Sequence, residues 1–197
     1  MKKKNVLVIV AHPDDETLWM GGTLIRNKKK WETKIVCLTR KSDPDRYPKF
    51  KKVMSTLGVK GYIYNLDDKN LETPLNQDLI LKILKKFSDK YDLIFTHNVN
   101  GEYGHTRHKD THEAVILALK KKIFSAKEVF FFSYQKINNE YQGYAIYNSN
   151  ADKLIKLNRD ELSMKRDLAI NVYGYDRGGI GFEELSAGPI ESFDKLK

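Results

Sequence analysis

All five histidines of the chain fall in two short segments that also carry acids. The first, AHPDDET over residues 11–17, sets His12 three residues before Asp15, with Asp14 and Glu16 alongside. The second, THNVNGEYGHTRHKDTH over residues 96–112, holds His97, Glu102, His105, His108 and His112. Clustered carboxylates repel one another unless a cation joins them, and imidazole with carboxylate is a donor set for Zn2+, Fe2+ or Co2+. Three such ligands with one position left open suit a catalytic ion rather than a structural one. His108 and His112, four residues apart, would share one helix face, so an HxxxH ligand pair stays open beside the His12 segment. Asp15 and Glu16 taken alone would serve as first-turn acids favoured by the helix dipole. That reading leaves His12, set among three acids, unexplained.

Elements that alternate along the chain must bring these segments together. Residues 5–10 read as a buried strand, 16–30 as a helix, 33–39 (TKIVCLT) as a strand and 47–59 as a helix stopped by Gly58. A short strand over 61–66, an amphipathic helix over 76–91, a strand over 92–97, a helix over 108–124 and a strand over 128–134 follow. This alternation predicts an α/β fold, a Rossmann-like, mostly parallel sheet with helices on both faces. In such sheets ligands bind outside the carboxyl ends of the strands. His12 to Glu16 follow the first strand and His97 to His108 follow a later one, so both segments are expected at one sheet edge. Beyond residue 135 the pattern weakens to an edge strand over 141–148, a helix over 151–174 and a glycine-rich tail from 174 to 197. No interior linker or repeat interrupts it, which predicts one domain over 1–197.

The chain has 197 residues, 41% hydrophobic and 31% charged, an ordinary globular balance with room for one core. Its formal charge of +9 favours acidic partners. The lysines, however, lie in runs such as NKKKWE and ALKKKIF that read as solvated helix ends, which argues against nucleic acid. Cys37 stands alone, excluding an internal disulfide and a thiolate cluster, and reads as a small buried hydrophobe. No apolar run reaches the ~18 residues of a membrane span. The apolar run after MKKKN is also shorter than the ~7–15 residues of a signal peptide. The chain is therefore expected to be cytoplasmic.

With these residues in view, the chain resembles the PIG-L/LmbE-like family of metal-dependent deacetylases. AHPDDE after the first strand and GEYGHTRH after a later one match the His-Pro-Asp-Asp and His-x-x-His motifs of that family, and the Gly21–Gly22 pair follows its habit in the first helix. The resemblance runs through most of residues 5–125 and thins to GPIESF beyond. It implies an LmbE-like deacetylase fold with Zn2+ at the strand ends, the same ligands accepting Fe2+. The implied reaction removes an acetyl group from an N-acetylglucosamine-type conjugate. Carried over by position, His12, Asp15 and His108 would be metal ligands, and Asp14 the general base that activates a metal-bound water. His105 would act as an imidazolium beside the tetrahedral intermediate, and Tyr103 would share its work. Arg46 and Asp68 would bind the sugar. Arg107 stands where many members carry an acid, so it would disfavour a charged His105 or bind an anionic substrate. The implied partner is a small N-acetyl sugar conjugate, read as anionic from Arg46, Arg107 and the net charge, with a homo-oligomer left open. A metal-dependent phosphoesterase and a non-catalytic metal-binding relative are the rival readings. A dinucleotide site is disfavoured, since the first turn lacks G-x-G-x-x-G and its acids would repel a pyrophosphate.

Overall fold

The computed structural model describes residues 2–136, 145–175 and 187–197. The apolar runs become β1 (Lys4–Val10), β2 (Trp31–Thr39), β3 (Lys60–Leu66), β4 (Lys90–Thr96) and β5 (Ser125–Phe132). They lie side by side, all parallel, in the order β3-β2-β1-β4-β5. The crossovers are α1 (Asp15–Asn27), α2 (Arg46–Leu57), α3 (Gln77–Leu84) and α4 (Thr106–Lys120). Successive side chains of a strand face opposite ways, and β1 shows the consequence. Val6, Val8 and Val10 pack with Leu18, Phe50 and Met54 on one face. Leu7 and Ile9 pack with Ile80, Leu84 and Val115 on the other. Each such side chain contributes roughly 1.5–3 kcal/mol when fully buried, so a strand covered on both faces needs no polar alternation. Among the described residues, no helix is long and apolar enough to cross a membrane.

Local boundaries shift for identifiable reasons. The third helix ends at Leu84 in a 3-10 turn over Lys85–Phe87, ahead of β4, rather than running to residue 91. The fourth begins at Thr106, two residues before the expected start, because His105 caps it by accepting the Arg107 N–H.

The C-terminal third departs from expectation. Residues 151–174 are not one helix: Lys153–Lys156 is a strand, Arg159–Asp167 an α-helix (α5), and Leu168–Tyr173 a π-helical turn closed by Gly174. In chain order the strands after β5 are β6 (Tyr134–Lys136), β7 (Ala145–Tyr147), β8 (Lys153–Lys156) and β9 (Ile190–Lys195). The expected edge strand over 141–148 is β7, which pairs with β6 in a separate two-stranded sheet, residues 141–144 lying outside the described ones. Of the expected tail, the described residues 187–197 carry β9. β9 lies antiparallel to β5 and to β8, extending the main sheet to seven strands. Sequences as polar as KLIK and IESFDK carry no local strand signal, and pairing with a core strand decides their form.

β9 also shapes the first helix. α1 is broken at Met20 (φ −149°), which frees backbone N–H groups one turn later. Glu191 of β9 accepts from Gly22 N and Thr23 N, both at 2.8 Å, and from Thr23 Oγ1 at 2.7 Å. Its charge is met by the fully buried Lys165 of α5 at 2.8 Å. Gly22 is required there, since a Cβ would stand 2.3 Å from Leu157 Cδ2.

Candidate active site

The strand order reverses direction at β1, with β2 on one side and β4 on the other, and both histidine segments leave the sheet at the carboxyl ends of β1 and β4. This is the switch-point crevice where α/β sheets bind ligands. Four of the five histidines meet there. The His97 and His108 rings stack at 3.9 Å, His105 and His108 at 4.7 Å, and His12 meets His105 edge-on at 4.6 Å.

Hydrogen bonds fix the ring protons. His12 Nε2 lies 2.8 Å from Asp68 Oδ1, and Asp68 stays ionised: burial pushes it up, but His12 and Arg40 pull it down to about 2. His108 Nδ1 lies 2.5 Å from Glu102 Oε2. Burial likewise pushes Glu102 up while His97 and His108 hold it at about 2. Each ring therefore donates a proton outward to a carboxylate and turns its second nitrogen inward. The inward atoms, His12 Nδ1 and His108 Nε2, are 3.2 Å apart. Asp15 completes the triangle, Oδ2 at 3.4 Å from His12 Nδ1 and Oδ1 at 3.3 Å from His108 Nε2. Tetrahedral ligands at ~2.0–2.1 Å from a zinc ion are about 3.3 Å apart, which the His12 Nδ1–His108 Nε2 separation matches, while Asp15 reaches the two nitrogens with different oxygens. Two facing ring nitrogens and a carboxylate call for a positive charge among them, a proton or a metal ion.

Two other groupings compete with this triangle. His105 joins His12 and His108 with ligand atoms all within 4.8 Å, and so do Asp15, His97 and His108. His97 Nε2, however, lies 3.0 Å from Ala11 N and 3.2 Å from Asp15 Oδ2, and its Nδ1 lies 2.9 Å from Glu102, so both ring nitrogens are already engaged. It aligns Glu102 rather than offering a ligand. His112 places Nδ1 3.0 Å from the His97 carbonyl and does not pair with His108 in the HxxxH manner.

Asp14 is held in an unusual backbone state, φ 128°, which for a non-glycine residue costs about 1–3 kcal/mol. As N-cap residue of α1 it makes no side-chain cap, which leaves its carboxylate in the cavity. Burial and the neighbouring Asp15 push it up to about 6. Tyr175 Oη donates to its Oδ2, and Arg46 Nη1 approaches the same oxygen at 3.4 Å. Arg46 also stacks its guanidinium 5.2 Å from the centre of the Tyr175 ring. Asp15 and Glu16 are not plain cap residues. Asp15 accepts from His12 N at 2.7 Å and Trp19 Nε1 at 3.0 Å, and Glu16 accepts from Tyr173 Oη at 2.8 Å.

The cavity over these groups, about 190 Å3, is also lined by Trp19, Arg40, Tyr103 and His105. His105 differs from the imidazolium that the resemblance implies. Burial and the His108 and His12 rings push it down to about 3, so it is neutral. Because Nδ1 accepts the Arg107 N–H, the ring proton sits on Nε2.

Arg107 is not a cavity residue. It is 1% exposed and reaches the β3–α3 loop, donating to Thr73 O at 3.0 Å, to Asn70 O, and to Asp110 Oδ2 at 2.8 Å. Asp68 sits on that same loop and acts on His12 rather than projecting into the small cavity. Three cavity residues, Tyr175, Trp19 and Arg40, lie outside the motifs that the sequence displays. Trp19 carries a readable signal, four residues after Asp15 on one helix, and Arg40 ends a strand at the ligand edge. Tyr175 carries none, lying 161 residues from Asp14.

Comparisons with known proteins bear on the family and the fold. The family model described as PIG-L, GlcNAc-PI de-N-acetylase, matches residues 7–119. The uncharacterized protein L374 of Acanthamoeba polyphaga mimivirus is 25% identical over 194 residues, spanning 85% of this chain and 81% of its own. Among solved structures, the conserved protein TT1542 from Thermus thermophilus is similar with TM-score 0.70 at 18% identity, over 97% of this chain and 94% of that one. The N,N'-diacetylchitobiose deacetylase from Pyrococcus horikoshii, solved with an inhibitor, is similar with TM-score 0.69 at 18% identity, over 98% and 84% of the two chains. At these identities the structural likenesses show the shared fold.

Proposed function

Since the chain belongs to the PIG-L family of GlcNAc-PI de-N-acetylases, we propose that it is a metal-dependent hydrolase that removes the acetyl group from an N-acetylglucosamine-type conjugate. The observation that supports the reading is the approach of His12 Nδ1 and His108 Nε2 to within 3.2 Å, with the Asp15 carboxylate 3.3–3.4 Å from both and a carboxylate behind each ring. These three residues would hold the ion, Zn2+ by donor type, with Fe2+ accepted by the same set. A bound ion supplies Lewis acidity toward the amide carbonyl and lowers the pKa of water toward ~7.

The protein's own groups do the rest. Among the described residues, Tyr175 and Arg46 occupy Asp14 Oδ2, which leaves Oδ1 to take a proton from the attacking water. The Asp14 carboxylate accepts that proton and can return it to the leaving amine. His105 Nε2–H donates to the carbonyl oxygen as it becomes negative, a role that suits a neutral ring. Tyr103 lines the same cavity and is assigned to that oxygen as well. The products are acetate and a free amine. We propose an uncharged conjugate, because the support for an anionic one thins in the folded chain. Arg107 is committed to the β3–α3 loop, and Arg46 faces Asp14 and Asp45.

The test is release of free amine from N-acetylglucosamine and its conjugates, neutral and anionic, by protein stripped of metal and reloaded with Zn2+ or Fe2+. Metal-dependent release, abolished in Asp14→Asn while metal binding persists, is the expected result. Bound metal without release from any conjugate would move the assignment to a phosphoesterase or a non-catalytic relative.

A further inference from the structure

The first helix breaks one residue past Trp19, and polar groups that the break sets free are collected by the C-terminal third of the chain. In an unbroken helix Gly22 N and Thr23 N would bond to the carbonyls of Leu18 and Trp19. Met20, at φ −149°, prevents this. Glu191 takes both N–H groups, and Tyr134 Oη donates to the Trp19 carbonyl at 3.1 Å. The Tyr134 ring also meets the indole edge-on, with centroids 4.8 Å apart. The first turn, which carries Asp15 and Trp19, is thus seated by β9 and β6 as well as by its own helix.

Trp19 is buried at the wall of the cavity. Packing there could be met by any large apolar side chain, and packing has no use for the indole N–H. That group is a donor only, and when buried it needs an acceptor. Its Nε1 donates to Asp15 Oδ1 at 3.0 Å, four residues back on the same helix face. The other oxygen, Asp15 Oδ2, accepts from His12 N at 2.7 Å. A carboxylate turns about a broad, two-fold torsion, and a donor on one oxygen leaves part of that freedom in place. Donors on both oxygens fix its plane. So fixed, Oδ1 lies 3.3 Å from His108 Nε2 and Oδ2 lies 3.4 Å from His12 Nδ1. The carboxylate is oriented toward both ring nitrogens by the fold itself.

We propose that Trp19 is a positioning residue for the metal: its indole N–H holds the Asp15 carboxylate in the orientation that presents it to the ion beside His12 and His108. The inference rests on the metal-dependent reading of the site and not on the identity of the substrate. The chain has two tryptophans, and the second, Trp31, starts β2 at the opposite edge of the sheet. Trp31→Phe should therefore leave Zn2+ affinity as it is. In that background the chain is produced with the benzothiophene analogue of tryptophan, which puts sulfur in place of the Trp19 N–H at nearly the same shape. Zn2+ affinity, measured by competition with a chelator, should fall about 10–100-fold against the same chain made with ordinary tryptophan. Trp19→Phe should show a loss at least as large. In 15N-labelled unaltered protein the Trp19 indole N–H resonance should shift when Zn2+ is added, and the Trp31 resonance should stay. Unchanged affinity in the sulfur analogue, or a Trp19 resonance that Zn2+ does not move, would overturn the role and leave the deacetylase standing. If Zn2+ binds and no conjugate is deacetylated, the substrate reading falls and the affinity comparison still decides Trp19. A chain that takes up no Zn2+ overturns both.

Discussion

His12 Nδ1 and His108 Nε2 face each other at 3.2 Å, each on the inward side of a ring whose outer nitrogen meets a carboxylate. Asp68 and Glu102 hold a proton on the far side of each imidazole. The two residues stand 96 positions apart in the chain, and the sheet edge brings them together with Asp15 between. Outer carboxylates of this kind orient a ligating ring and raise its basicity.

The orientation is testable through Glu102. In Glu102→Gln the side-chain volume is kept, but the charge that holds the His108 Nδ1 proton is lost. Metal affinity should fall by about 10–100-fold, as measured by competition with a coloured chelator. Unchanged affinity would remove Glu102 from the site.

Metal uptake should depend on pH in a definite sense. In the metal-free protein burial lowers His12 and His108, but Asp15 with Asp68, and Asp15 with Glu102, outweigh it, and both rings end above the ordinary 6.5. A proton then takes the place of the ion and must leave when the ion binds. Apparent affinity should rise with pH through the neutral range and level off above the raised values. Calorimetry in buffers of different ionisation enthalpy should show protons released on binding, more of them at pH 6 than at pH 8.

Tyr175 and Arg46 both hold Asp14 in its ionised form. The proposed base works deprotonated, so activity is lost as pH falls through its pKa. Tyr175→Phe and Arg46→Ala each remove a group that lowers that pKa. The acid limb of the kcat/KM profile should therefore move to higher pH in both variants. A limb that stays in place while kcat/KM drops uniformly would mean that the two residues act on the substrate alone.

The pair Lys165–Glu191 is fully buried and holds the broken helix α1 in place. Lys165→Met would leave the Glu191 charge in the core without its counter-ion, at a cost of about 3–5 kcal/mol. Chemical denaturation should show that loss, and Lys165→Met combined with Glu191→Gln should recover much of it.

Cys37 offers a simpler check on the core. It is 0% exposed, and burial pushes its thiol well above the ordinary value. A thiol reagent should leave the native protein unmodified at pH 8 and react at once in denaturant.

The local pattern of the chain was sufficient for the first five strands and four helices, for the edge at which His12 and His108 would meet, and for the order of the motif residues. These features depend on neighbours: Val6 to Val10 are buried because they are apolar, and His12 and Asp15 adjoin because a turn separates them. The strand KLIK and the buried IESFDK have no such local signature, since their form depends on pairing with β5 and with each other. Arg107 reads as a site cation in the motif and turns instead into the β3–α3 loop, because Asp110 and the carbonyls of Asn70 and Thr73 satisfy it there. His105 reads as a charged acid and is neutral, because burial beside two other rings outweighs its acids. Tyr175 gives no sign at all. Which histidines and acids gather at the sheet edge was determined by the sequence; which carboxylate each ring meets, which oxygen of Asp14 stays open and what lies beside the cavity were decided only by tertiary structure. Side-chain identity sets chemical capacity, while desolvation and hydrogen-bond direction arise from residues that adjoin only after folding.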